Sequence, residues 1–113
     1  MHELGIVYHV ADTVIAFAKE NAVTRIDTLV LQIGELSPVV PRYIEACYPA
    51  AVDGTMLQDT KLQIEVIPAG ALCPDCGTRF AAVAHRRTCP NCLKPGCPVV
   101  SGKEFLIKEI VAY

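Results

Sequence analysis

The sequence predicts an α+β fold: two helices packed on a small three-stranded sheet that is interrupted by a cysteine-rich insert. Three observations carry this expectation. Apolar residues recur at helical spacing over 4–22, two later segments alternate apolar and polar residues, and five of the six cysteines crowd into 72–98. With 113 residues the chain is one domain, or one with a smaller appendage. It is 52% hydrophobic and 19% charged, enough apolar mass for a core and too little charge for disorder.

In the first segment Leu4, Val7, Tyr8, Ala11, Val14, Ile15, Ala18 and Ala22 form one apolar stripe, with Asp12, Lys19 and Glu20 off it. A strand follows over 27–33, where Leu29, Leu31 and Ile33 alternate with Thr28, Val30 and Gln32, and Gly34 ends it. Ser37-Pro38 and Pro41 suit a turn into a second helix, with Pro41 near its first position. Ile44, Cys47, Tyr48 and Ala51 would face the core, and Pro49 predicts a kink or an early end. Residues 61–67 read as the next strand, with Leu62, Ile64 and Val66 on one face. The insert leaves here through a short linker. From Lys103 a third strand resumes, and the phase slip between Ile107 and Ile110 predicts a bulge near Lys108-Glu109.

The insert holds four prolines and little aliphatic mass, so it needs a staple to fold. Cys73-Pro-Asp-Cys76 and Cys89-Pro-Asn-Cys92 supply one. Two thiolates separated by two residues reach a single ion from one tight turn, and two such turns make a tetrahedron that suits Zn(II). The insert is therefore read as zinc-ribbon-like. Gly77 fits the turn after the first pair; Leu93 stands where a second glycine is expected. A redox dithiol would follow a strand and open a helix, which neither pair does. An iron–sulfur cluster uses the same ligands, whereas a catalytic zinc would keep an open position. Cys97 could exchange with a quartet member or be a free thiol, and the completed quartet favours the free thiol; Cys47 is read as a small buried hydrophobe.

Ten basic residues against twelve acidic ones give a charge of −2, which does not favour a nucleic-acid surface. A zinc-ribbon module binding nucleic acid or protein is nonetheless the alternative reading, on Arg79, Arg86, Arg87 and Lys94. No nucleophile–base constellation points to an enzyme. Met1-His2-Glu3 lacks the basic start of a secretory signal, and no apolar run approaches the roughly 18 residues of a membrane span. The expected setting is the cytoplasm, where paired cysteines are metal ligands sooner than disulfides.

The opening tripeptide has chemistry of its own. The α-amine of Met1, the amide nitrogen of His2 and its imidazole can wrap one ion in fused chelate rings, with Glu3 adding a donor. Nitrogen-rich planar ligation favours Ni(II) or Cu(II) over zinc. On spacing alone an incidental histidine is the plainer reading. His9 and His85 are read as surface residues, each a candidate auxiliary ligand.

Together, Met1-His2-Glu3-Leu4, Ile33-Gly34-Glu35-Leu36-Ser37, the two cysteine pairs and Ser101-Gly102-Lys103-Glu104 closely resemble the HypA/HybF nickel-insertion proteins, nearly end to end and in order. The resemblance implies a nickel metallochaperone for [NiFe]-hydrogenase, and in some bacteria for urease. It implies a nickel-binding α+β domain over 1–68 and 102–113, with a zinc-binding domain over 69–101. It assigns Ni(II) to Met1, His2 and Glu3, and Zn(II) to Cys73, Cys76, Cys89 and Cys92. Implied partners are a nickel-handling maturation GTPase, the hydrogenase large-subunit precursor and, where urease is the recipient, its accessory proteins; a homodimer stays open. Leu93, the segment 94–98 and Pro49 depart from the family pattern.

Overall fold

The computed structural model describes residues 2–113, with side chains from Glu3 onward. The elements run α1 (His2–Glu20), β1 (Ile26–Gly34), α2 (Pro41–Val52), β2 (Lys61–Ile67), β3 (Gly70–Leu72), β4 (Arg79–Ala81), β5 (Val99–Ser101) and β6 (Phe105–Ala112). They form two three-stranded sheets, ordered β2-β1-β6 and β4-β3-β5. Two compact units divide the chain. One holds the residues up to Gln32 with Val39–Glu65 and Leu106–Tyr113; the other holds Ile33–Pro38 and Val66–Phe105.

In the first unit α1 packs against α2. Helix α1 buries Val7, Val10, Ala11, Val14 and Ala18. Tyr8, expected on this stripe, is 46% exposed, and Ile15 is half-buried. The helical period fixes a stripe but not which of its flanks is covered, and Val10 lies on the covered flank. The helix also ends two residues sooner than its pattern suggests. The Val23 amide donates to the Ala18 carbonyl at 2.8 Å and that of Ala22 to the Lys19 carbonyl at 3.4 Å, with Ala22 at φ 55°. This left-handed reversal satisfies the last carbonyls of the helix.

Strand β1 is central in its sheet and is buried on both faces, Val30 as well as Leu29 and Leu31. Helix α2 opens with Pro41, as expected, and buries Ile44, Tyr48, Ala51 and Val52. Cys47, expected buried, is only half-buried, and of the two outcomes expected at Pro49 the early end does not occur, since the helix continues to Val52. Pro49 is exposed, so its ring displaces no core side chain; the missing amide bond and the crowding of the ring against the preceding turn are local costs that the buried face of α2 outweighs. The Tyr48 hydroxyl donates to the Thr60 carbonyl at 3.1 Å, and the Thr60 hydroxyl to the Ile26 carbonyl at 2.7 Å, both buried. Lys108 Nζ lies 2.9 and 3.1 Å from the Glu65 carboxylate oxygens, which also accept from Gln32. Strand β6 begins at Phe105, two residues later than expected; Phe105, Ile107 and Ile110 are half-buried, which keeps the phase slip read from the sequence.

The second unit is built on three-residue strands. Strand β3 pairs antiparallel with β4 through Ala71 and Phe80, and with β5 through Ala71 and Val99, with a register shift after Gly70. Its buried cluster is Ala69, Ala71, Cys73, Ala82, Cys89 and Cys97, with Phe80 and Val99 packed on it. Every fully enclosed member is alanine or cysteine, which leaves too little apolar area to hold the unit unaided.

The glycine motifs meet at the base of this unit. Gly34 N donates to the Glu104 carbonyl at 2.7 Å, Glu35 N to that of Ile67 at 2.8 Å, and Leu36 N to that of Gly102 at 2.8 Å. A Cβ on Gly34 would collide with the Gly102 carbonyl, and one on Gly102 (φ 95°) with the Ala69 backbone. The Glu35 carboxylate accepts from Ala69 N and that of Glu104 from Gly102 N, each at 2.9 Å. Glu35 and Glu104 thus close the crossing where the cysteine-rich segment leaves and returns.

Candidate metal centre

Two turns of identical backbone build the cysteine site. In the first, Gly77 N donates to the Cys73 carbonyl and Cys73 N to that of Thr78, both at 2.9 Å. In the second, Leu93 N donates to the Cys89 carbonyl and Cys89 N to that of Lys94, again at 2.9 Å. Each turn needs a left-handed residue after its second cysteine: Gly77 at φ 75°, and Leu93 at φ 66°. Leucine adopts this conformation at a penalty of roughly 1–2 kcal/mol. The turn therefore tolerates Leu93 without changing shape, and Leu93 ends up 72% exposed.

The four sulfurs of Cys73, Cys76, Cys89 and Cys92 lie within 4.8 Å of one another. Cys73 and Cys92 sulfurs are 3.4 Å apart, Cys76 and Cys89 sulfurs 3.6 Å. A tetrahedron of sulfurs about 2.3 Å from a central zinc has edges of about 3.8 Å. The spacing therefore fits a single ion, and all six cysteines are free thiols. Cys73 and Cys89 are buried in the small core, whereas Cys76 and Cys92 face solvent. One pair of ligands is thus also part of the packing, and holding the ion and closing the core become the same event.

Hydrogen bonds grade the sulfurs. Cys76 is brought down to about 6, first by the Thr78 hydroxyl 3.1 Å away, then by the Thr78 amide and the Asn91 side chain. Cys73 is lowered chiefly by the Cys76 amide. At Cys92 the Lys94 amide favours the thiolate, but the neighbouring sulfur of Cys73, burial, and Cys76 and Cys89 outweigh it and push the thiol up to about 12. Four thiolates crowd together only with a cation among them. Thr78 and Asn91 bond to the Cys76 sulfur and not to the ion, and spacing rules do not find them. Their signal was present only as polar residues at the turn positions.

Cys97 is fully buried, its thiol 3.3 Å from the Lys94 carbonyl, and burial raises its pKa. It belongs to the core cluster and lies outside the group of four. His85 is exposed, its ring edge-on to Phe80 at 5.8 Å, and His9 is exposed on α1. Among the described residues the cysteine quartet is the group of potential ligands that converges. The basic residues are partly engaged: Lys94 Nζ pairs with Asp75 at 3.5 Å, and Arg87 Nε donates to the Cys97 carbonyl at 3.0 Å. Met1 and the His2 side chain lie outside the described residues; Glu3 stands half-buried in the first turn of α1.

The family described as "Hydrogenase/urease nickel incorporation, metallochaperone, hypA" matches residues 1–112. Hydrogenase maturation factor HypA of Chlorobium limicola is 39% identical over 110 residues, covering 97% of this chain and 95% of that protein. That of Geobacter sp. strain M21 is 37% identical, covering 97% of each. The solution structure of the Ni metallochaperone HypA from Helicobacter pylori shares the fold at a TM-score of 0.67 and 20% identity, covering 97% of this chain and 96% of that one. A second HypA solution structure does so at 0.74 and 22%, covering 100% and 97%. No helix among the described residues is long and apolar enough to cross a membrane. A match that runs the length of the chain, carried by relatives above 30% identity and joined to a converged four-cysteine centre, places the chain in the HypA family of nickel metallochaperones of hydrogenase maturation, which is not a family of enzymes.

Proposed function

We propose that the chain carries Ni(II) at its opening tripeptide and hands it on during [NiFe]-hydrogenase maturation, while Cys73, Cys76, Cys89 and Cys92 hold a structural Zn(II). The observation that carries the nickel site is the start of α1 at His2. The first amides of a helix have no carbonyl four residues back to bond, so those of His2 and Glu3 are free for other partners. They also stand at the positive end of the helix, which favours the negative charge left when an amide proton is lost to a metal. In this reading the Met1 amine, the His2 amide and imidazole, and a Glu3 donor surround the ion.

Such a site suits cargo. Protonating the amine or the imidazole dismantles it stepwise, so a recipient can take the ion without unfolding the carrier. The thiolate site suits permanence, because its loss exposes a core of alanine and cysteine. The functional division is the nickel-binding 1–68 and 102–113 against the zinc-binding 69–101. The partners are a nickel-handling maturation GTPase and the hydrogenase large-subunit precursor, with urease accessory proteins where urease is served, all in the cytoplasm.

The test is nickel titration calorimetry on the zinc-loaded protein beside a form extended by Gly-Ser before Met1. The extension removes the amine from position and leaves the rest of the chain intact. Nickel affinity is expected to fall steeply. Equal affinity in a folded extended protein would remove the amine from the ligand set.

A further inference from the structure

The two cysteine turns share one backbone and differ in three side chains, and each difference favours Cys76 over Cys92. Gly77 holds the left-handed position without strain where Leu93 holds it against its Cβ. Thr78 places a hydroxyl 3.1 Å from the Cys76 sulfur. Its counterpart Lys94 has no such group, and its ammonium turns to Asp75. Asn91 donates its amide across to Cys76. Its counterpart Asp75 is a carboxylate with no proton to give Cys92. Cys76 therefore receives donors from the Thr78 and Asn91 side chains, whereas Cys92 meets other sulfurs, that of Cys73 at 3.4 Å, and the Lys94 amide; both face solvent. Cys73 and Cys89 are 1% and 0% exposed.

Hydrogen bonds to a metal-bound sulfur draw off the charge that makes it a nucleophile. From this asymmetry we propose that Cys92 is the exchangeable ligand of the zinc centre: the sulfur that soft electrophiles modify first and that leaves the metal once modified. The site then opens on one side only. Cys73 and Cys89 stay fixed in the core, Cys76 is held by Thr78 and Asn91, and the second turn relaxes as Leu93 leaves its strained conformation. With a maleimide the step balances without redox change: the Cys92 sulfur forms a bond to an alkene carbon, its bond to zinc breaks, and solvent protonates the adjacent carbon. The inference rests on the zinc reading above, which metal analysis of the starting sample tests separately.

The experiment treats full-length protein, shown beforehand to carry one zinc, with one equivalent of N-ethylmaleimide. Sites of addition are mapped over time by tandem mass spectrometry. Two additional neutral hydrogen bonds at Cys76 correspond to about tenfold faster labelling at Cys92. The double variant L93G/K94T gives the second turn the residues of the first and is expected to slow Cys92. T78V is expected to speed Cys76 and leave Cys92 unchanged. Addition at Cys76 first, equal addition at both, or addition at neither while the half-buried Cys47 reacts would each overturn the assignment.

Discussion

Replacing Gly34 by alanine adds one methyl group at the point where the end of β1 meets the Gly102 carbonyl. The new Cβ would also lie 2.7 Å from the Lys103 amide nitrogen, and both neighbours are backbone. No side-chain rotation relieves the contact, so either chain must shift. That shift strains the bonds of Gly34 N to Glu104 and of Leu36 N to Gly102, at 2.7 and 2.8 Å. Overpacking of this kind costs about 2 kcal/mol and one forfeited backbone bond about 1 kcal/mol, some 3 kcal/mol together. With a urea slope of about 1.5 kcal/mol per molar, the unfolding midpoint falls by about 2 M. Gly5→Ala is the matched control. Gly5 sits in α1 with nothing within 4 Å of a built Cβ, so alanine there stabilises by about 0.5–1 kcal/mol. The assay is urea unfolding followed by far-ultraviolet circular dichroism, with every sample zinc-loaded. A Gly34→Ala protein within 1 kcal/mol of the parent would refute the close-approach account of the Gly-Glu-Leu-Ser segment.

Four further outcomes follow from the same reasoning. Ala22→Gly relieves the left-handed reversal at the end of α1 and should raise stability by about 0.5–1 kcal/mol in the same assay. Pro49→Ala restores an amide donor to the middle of α2 and should stabilise by about 2 kcal/mol; a destabilised variant would mean that the ring makes contacts the fold needs. The Glu65 carboxyl is held below its ordinary 4.5 by the Lys108 and Gln32 hydrogen bonds, so its contribution is complete above 4.5 and disappears as pH falls through the lowered value. Lys108→Met should flatten the acid limb of stability against pH, and a two-dimensional spectrum following the Glu65 carboxyl reads that shift directly. Removing zinc with a strong chelator should unfold the 69–101 segment and leave the circular dichroism of α1 and α2 largely in place; retention of native amide shifts through 69–101 would contradict the view that its core is too small.

Sequence made the elements legible where periodicity was long. Helix α1, β1 and the 61–67 strand lie within two residues of where the pattern puts them, because a long stripe or alternation fixes the type of an element and roughly its place. The flank of α1 was not legible: Tyr8 and Val10 sit on opposite edges of one stripe, and only packing against α2 selects between them. That α2 runs past Pro49 was not legible, because the local cost of a helical proline is set against the burial of Ala51 and Val52 beyond it, which only the fold shows. The sheet β4-β3-β5 was missed because three-residue strands show no period. The cysteine spacing pointed to the converged quartet, since ligand distance within a tight turn is local geometry. The donors Thr78 and Asn91 were not foreseen, because bonding to a sulfur on another turn is a property of the folded pair. The roles of Gly34 and Gly102 emerged only when two segments far apart in sequence were seen to touch.

X-ray absorption at the nickel edge, recorded on zinc-loaded protein carrying one equivalent of nickel, reads the cargo site itself. A site on Met1, His2 and Glu3 gives a planar shell of nitrogen and oxygen without sulfur, and that shell is lost in the Gly-Ser-extended form. Sulfur in the nickel shell would move the cargo to the cysteine quartet, and a shell unchanged by the extension would remove the Met1 amine from it; either contradicts a site built on the opening tripeptide.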